Sequence, residues 1–173
     1  MQPKFIPIGH VVTDASHEDL RHRVAVSKIM IARKFAGGLK GLEGFSHLYV
    51  LFLLHEVPKW KGSLMVHPRG RTDIKKTGVF ATRSPHRPNP IALTLVKLLS
   101  KRGRVLRVKG LDAYDGTPVL DIKPYDKRDS APHHRVPLWW KKLEHESKRE
   151  QRSQNPRLVE RAHRARTLGS KTR

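Results

Sequence analysis

Within nine residues, TRSPHRPNP at 82–90, the chain carries Arg83, Ser84, His86, Arg87 and Asn89 between Pro85, Pro88 and Pro90. Each proline fixes its own φ, removes a backbone donor and pushes the residue before it toward extended geometry. The segment is therefore a stiff loop, and a stiff loop loses little entropy when a ligand binds. Two guanidinium forks and one carboxamide on such a loop suit an anionic or heteroaromatic ligand. Asn89 could accept a hydrogen bond from an adenine amine and donate to a ring nitrogen. The plainer alternatives are a proline-braced hairpin with solvated arginines, and an Asn89 that caps its own turn.

The flanking runs at 79–81 and 91–99 are apolar or β-branched and read as the two strands that hold this loop as a hairpin. Further strands are expected at 5–13, 24–35, 62–66, 104–111 and 119–122. The almost continuously apolar stretch 45–57 reads as a strand buried on both faces, with His47 and His55 on one side. Asp115-Gly116 is a strong tight-turn signal and should join the last two strands as a hairpin. The glycines of GGLKGLEG match neither GxGxxG nor a phosphate-binding P-loop, so 37–44 reads as a turn with a short helical piece. Many short strands with little helix imply a mainly β chain, an antiparallel barrel or sandwich.

The 173 residues hold 36 Lys and Arg against 15 Asp and Glu, a formal net charge of +21, which favours a polyanionic partner. Nucleic acid fits better than a membrane, because no basic helix with a broad apolar face is visible. There is no cysteine, so disulfides, thiolate nucleophiles and zinc–cysteine sites are excluded. The eleven histidines show no HExxH or paired-ligand spacing, and no metal is expected. No signal peptide or membrane span is legible, and a cytoplasmic protein is expected.

Beyond Pro124 the composition changes. Residues 126–173 contain 14 Lys and Arg against 6 Asp and Glu, a net of +8. A helix is expected over 137–152, and a second from the Asn155-Pro156 cap pair toward Gly169. The chain divides on this reading into a domain at 1–125 and a basic, helical or partly disordered extension at 126–173. That extension either contacts RNA or is a solvated charged surface.

Three blocks, GLEGFSHLYVLFLLH, GVFATRSPHRPNPI and LDAYDGTPVLDIKPY, occur in this order over residues 41–125. Together they resemble the TsaA-like family, which includes TrmO-type tRNA methyltransferases. The resemblance implies a non-Rossmann β-barrel that binds S-adenosylmethionine and methylates N6 of N6-threonylcarbamoyladenosine beside the tRNA anticodon. It also implies a homodimer with the site near the subunit interface. Carried over by position, the cofactor is lined by His55 and Glu56, one of Arg83 and Arg87, Leu98 as an apolar wall, and the turn Tyr114, Asp115, Gly116, Thr117. Asp115 would bind a ribose hydroxyl or the α-amino group, and Tyr114 would pack on adenine. Asn89 is the candidate catalytic residue, orienting the acceptor amine. The chain departs from the family at 14–23, where a Pro-Arg-Gln segment is missing, and at Ala92, where a glycine is common. The tail after Asp126 also does not resemble the C-terminal domain of the family's bacterial enzymes. A non-catalytic RNA-binding barrel, or a methyltransferase with another acceptor, would share most of these features.

Overall fold

The computed structural model describes residues 5–153. Six strands close into an antiparallel barrel: β1 (Gly9–Val12), β2 (Val26–Ile31), β3 (His47–Leu53), β6 (Ile91–Arg102), β7 (Val105–Lys109) and β8 (Pro118–Pro124), in spatial order β1-β2-β7-β6-β3-β8. The remaining strands, β4 (Met65–Val66) and β5 (Thr77–Gly78), form a separate ribbon in the long excursion between β3 and β6. Closure removes every exposed sheet edge from the barrel.

Alternation with period two explains which side chains fill it. Val11, Ile29, Ile31, Leu48, Val50, Phe52, Val96, Leu106, Val108 and Val119 point inward from all six strands and are essentially solvent-free. β3 also alternates, with only Leu48, Val50 and Phe52 fully buried, so it is not covered on both faces as its composition suggested. It ends at Leu53, and His55 lies beyond it in a turn. The same-face relation with His47 therefore lapses: His47 sits at the start of β3 beside Tyr125, with ring centroids 6.4 Å apart.

Two expected hairpins do not form. Residues 79–81 make a 3₁₀ turn, and the short β5 before it pairs with β4 rather than with β6. β6 already has β3 and β7 on its two edges, which leaves no ladder for a third strand. The β7–β8 hairpin is also absent. β7 lies between β2 and β6 while β8 lies between β1 and β3, on opposite sides of the six-strand ring. The connection 110–117 must cross the barrel end, and its Leu111 and Ala113 are buried in the core as a plug. Asp115-Gly116 still makes its tight turn, closed by the Thr117 amide donating to Tyr114 O at 3.2 Å, but burial of Leu111 and Ala113 carries the chain across the barrel end, so the turn does not join β7 to β8.

The glycine-rich 37–44 region forms two short 3₁₀ segments, Arg33–Leu39 and Leu42–Gly44, with Gly41 at φ 84 between them. The polar segment after β1 becomes helix α1 (His17–Arg21), capped by the Ser16 hydroxyl, which accepts from the Asp19 amide. Among the described residues, those from Ala131 onward form a second unit, in which the expected helix is present as α2 (Leu138–Ser153). Within it Trp139 and Trp140 stand 5.5 Å apart, and Lys148 bridges Glu144 one turn earlier. The second expected helix, from Asn155 onward, lies outside the described residues.

Candidate functional site

Antiparallel pairing brings the end of β1, the start of β2, the end of β3, and the starts of β6 and β8 to one mouth of the barrel. The crossing connection 110–117 runs over this mouth. Its turn is locked onto β1: the Val11 amide donates to Thr117 O at 2.9 Å, and the Gly116 amide donates to Val11 O at 2.9 Å. Gly116 takes φ 73, which favours a residue without Cβ.

The side chains of the turn are then placed by their neighbours. Asp115 accepts from the Thr13 amide at 2.9 Å through one carboxylate oxygen, leaving the other for a ligand. The Tyr114 ring packs on His17 of α1, with centroids 4.8 Å apart. Thr117 is 2% exposed, and its hydroxyl lies 3.3 Å from His55 Nδ1. On the other side of that imidazole, Nε2 is 3.9 Å from a carboxylate oxygen of Glu56. The mouth thus joins two carboxylates, an imidazole, a phenol ring and a hydroxyl.

The stiff loop enters β6 at the same mouth. Leu53 pairs with Ile91, and the next amide, Leu54, donates to Pro90 O at 2.7 Å, so Asn89 arrives beside the His55 turn. Its carbonyl accepts from the Ile91 amide at 2.8 Å, while its exposed carboxamide makes no hydrogen bond to the described residues. The side chain therefore does not cap its own turn.

The two arginines have separate fates. Arg87 donates from Nε to Ser84 O at 2.8 Å and from Nη2 to Thr82 O at 2.8 Å and Val79 O at 3.3 Å. The Thr82 hydroxyl also donates to Val79 O. Arg87 is thus the internal brace of the loop, satisfying carbonyls that prolines and missing ladder partners leave open. Arg83 is exposed and bonds to none of the described residues. Arg87→Ala should lower stability by about 1–3 kcal/mol and speed hydrogen exchange over 79–91, whereas Arg83→Ala should leave both unchanged.

Leu98 does not belong to this constellation. Its amide donates to Ser46 O, just before β3 begins, and the residue lies seven positions along β6 from Ile91, on the order of 20 Å away. It packs against the core instead. Conversely, Thr13 and His17 were not foreseen. His17 comes from the segment that lacks Pro-Arg-Gln and Thr13 immediately precedes it, and the one local signal for their placement is the Ser16-x-x-Asp19 cap that starts α1. Among the described residues, no group of three His, Asp or Glu side chains is arranged to hold a metal ion.

The comparisons with known proteins agree with this architecture. An Archaeoglobus fulgidus protein named "Probable S-adenosyl-L-methionine-binding protein" is 54% identical over 98 residues, covering 57% of this chain and 26% of that protein. A Mus musculus protein named tRNA (adenine(37)-N6)-methyltransferase is 53% identical over 87 residues, covering 50% of this chain and 20% of its own length. The crystal structure of TrmO from Pseudomonas aeruginosa superposes with a TM-score of 0.61 at 32% identity, over 78% of this chain and 61% of that one. The chain thus spans between a fifth and about three fifths of these relatives' lengths. The family model described as tRNA-methyltransferase O N-terminal domain matches residues 16–130, from α1 to the end of the barrel unit, and the chain belongs to that family.

Proposed function

We propose that this chain is an S-adenosylmethionine-dependent methyltransferase that acts on N6 of N6-threonylcarbamoyladenosine at position 37 of tRNA. The observation that carries the reading is the barrel mouth itself, where Asn89, with an uncommitted carboxamide, stands beside a turn bearing a half-free carboxylate and an aromatic face. The printed names of the relatives, which specify S-adenosylmethionine binding and methylation of tRNA adenine 37, support it.

The donor set fits the cofactor. Arg83 suits its carboxylate, the free oxygen of Asp115 suits a ribose hydroxyl or the α-ammonium, and Tyr114 offers a ring face to adenine. When bound, the cofactor supplies a methyl group already activated by the sulfonium charge. The protein's task is alignment and exclusion of water. Asn89 Oδ1 would accept the N6–H and so hold that nitrogen in place, and the N6 proton would leave as the methyl passes from sulfur to nitrogen. Arg83→Ala should weaken cofactor binding by about 1–3 kcal/mol in calorimetry without changing the melting temperature.

The outer face of β3 and β6 carries Tyr49, Leu51 and Leu53 opposite Leu95, Leu93 and Ile91, and Leu93 is 54% exposed. An apolar face of this kind supports a homodimer, in which Leu93→Glu would halve the mass measured in solution. No helix among the described residues is long and apolar enough to cross a membrane, and a tRNA substrate suits the cytoplasm.

The decisive experiment incubates the protein with methyl-tritiated cofactor and tRNA with or without the threonylcarbamoyl group, then identifies the labelled nucleoside. Label in N6-methylated threonylcarbamoyladenosine alone supports the assignment. Label in another nucleoside changes the acceptor. No label and no calorimetric binding of the cofactor would make this a non-catalytic RNA-binding barrel.

A further inference from the structure

The outer face of three adjacent strands is built from one sign of charge. β2, β7 and β6 contain Lys28, Arg107, Lys109, Lys97, Lys101 and Arg102, and no Asp or Glu. Register makes this sharper than composition does. Lys28 stands directly opposite Arg107 across β2 and β7, and Lys109 stands directly opposite Lys97 across β7 and β6. Arg107 and Lys109 are two residues apart on the same side of β7, so the four cations share one patch.

All four are exposed, and none forms an ion pair with a described residue. Lys101, by contrast, is neutralised by Glu43 at 2.8 Å. Like charges directly opposite in a sheet destabilise it, so the barrel holds two unfavourable cross-strand pairs side by side. A polyanion laid across them would turn that repulsion into attraction and release counterions.

The patch also has a defined relation to the mouth. Lys28 pairs with Val12, the last residue of β1, and the next amide, Thr13, holds Asp115. Lys109 is the last residue of β7, immediately before the connection that crosses the mouth. Arg23, with φ 58, lies against the same region, donating to Gly110 O at 3.0 Å and Leu95 O at 2.6 Å, where β6 and β7 diverge.

We propose that Lys28, Arg107, Lys109 and Lys97 form the docking surface for the sugar-phosphate backbone of the RNA substrate, seating it so that one nucleotide reaches the barrel mouth. This rests on the tRNA reading above and adds where the RNA lies. The surface reads charge and shape, not sequence.

The test compares tRNA binding across salt for the full-length protein, for Lys28→Ala/Arg107→Ala/Lys109→Ala, and for Arg33→Ala/Lys34→Ala/Lys40→Ala. The second triple removes the same charge from exposed positions after β2, at the other end of the barrel. The first triple should weaken binding about 10–100-fold at low salt and reduce the slope of log K against log salt by about 2, while the control changes it far less. Cofactor affinity should be unchanged, and the melting temperature unchanged or raised, because the like-charge pairs are gone. Equal losses in both triples would reduce the effect to net charge, and unchanged binding in the first would overturn the surface; a wild-type chain that binds no tRNA overturns it too. If the wild type methylates tRNA and the first triple does so with unchanged KM, the surface fails and the activity stands. If RNA binding is lost as expected but no adenosine is ever methylated, the surface stands and the activity fails.

Discussion

Asn89→Ala should slow methyl transfer to tRNA by about 10–100-fold in single turnover, while cofactor affinity stays within about threefold. The asymmetry follows from position. The Asn89 backbone is held by Pro88, Pro90 and the bond from the Ile91 amide, so truncating the side chain leaves the loop where it is. What is lost is an exposed carboxamide that nothing in the described structure uses. Asn89→Asp separates alignment from mere acceptance: it keeps one acceptor oxygen but adds a charge, and should restore only part of the rate. A normal single-turnover rate in Asn89→Ala would leave this residue as a loop component. Loss of cofactor binding instead would move it to the cofactor's contacts, and the group that orients the amine would lie elsewhere.

Gly9→Ala should be the most damaging single methyl group in the barrel, costing about 2–3 kcal/mol and lowering the melting temperature by about 5–10 °C. Gly9 opens β1, opposite Ile31 of β2. A Cβ there would overlap the carbonyl oxygen of Met30 and stand 3.0 Å from Ile31 Cα, and both are backbone atoms that no rotamer change can move. The seam between β1 and β2 would have to open next to Val11, which is fully buried. Glycine in a strand interior often marks such a close backbone approach. Gly37→Ala is the matched control, since a Cβ there meets nothing within 4 Å. A Gly9→Ala protein that melts with the wild type would mean the seam yields without cost.

Local chemistry already specified much of this molecule. Apolar and β-branched runs mark β2, β3, β7 and β8 as strands, and Pro137 followed by amphipathic spacing places α2 to within a residue at each end. The three prolines make 82–90 stiff whatever surrounds it. These are properties of period and of fixed dihedrals, which neighbouring residues decide among themselves.

Partnership was decided only by the tertiary structure. No local rule says that 110–117 crosses the barrel instead of turning back at Asp115-Gly116, because the burial of Leu111 and Ala113 exists only once six strands enclose a core. The same holds for the arginines. Arg83 and Arg87 are alike in sequence, and they differ because the carbonyls of Val79, Thr82 and Ser84 converge on one of them. Leu98 shares β6 with the mouth but stands toward its other end, and the segment without the family's Pro-Arg-Gln supplies His17, with Thr13 just before it. The facing cations of β2, β7 and β6 are scattered over more than eighty positions in the chain. Strand register brings them together, and register is set by which residues the closed barrel must bury.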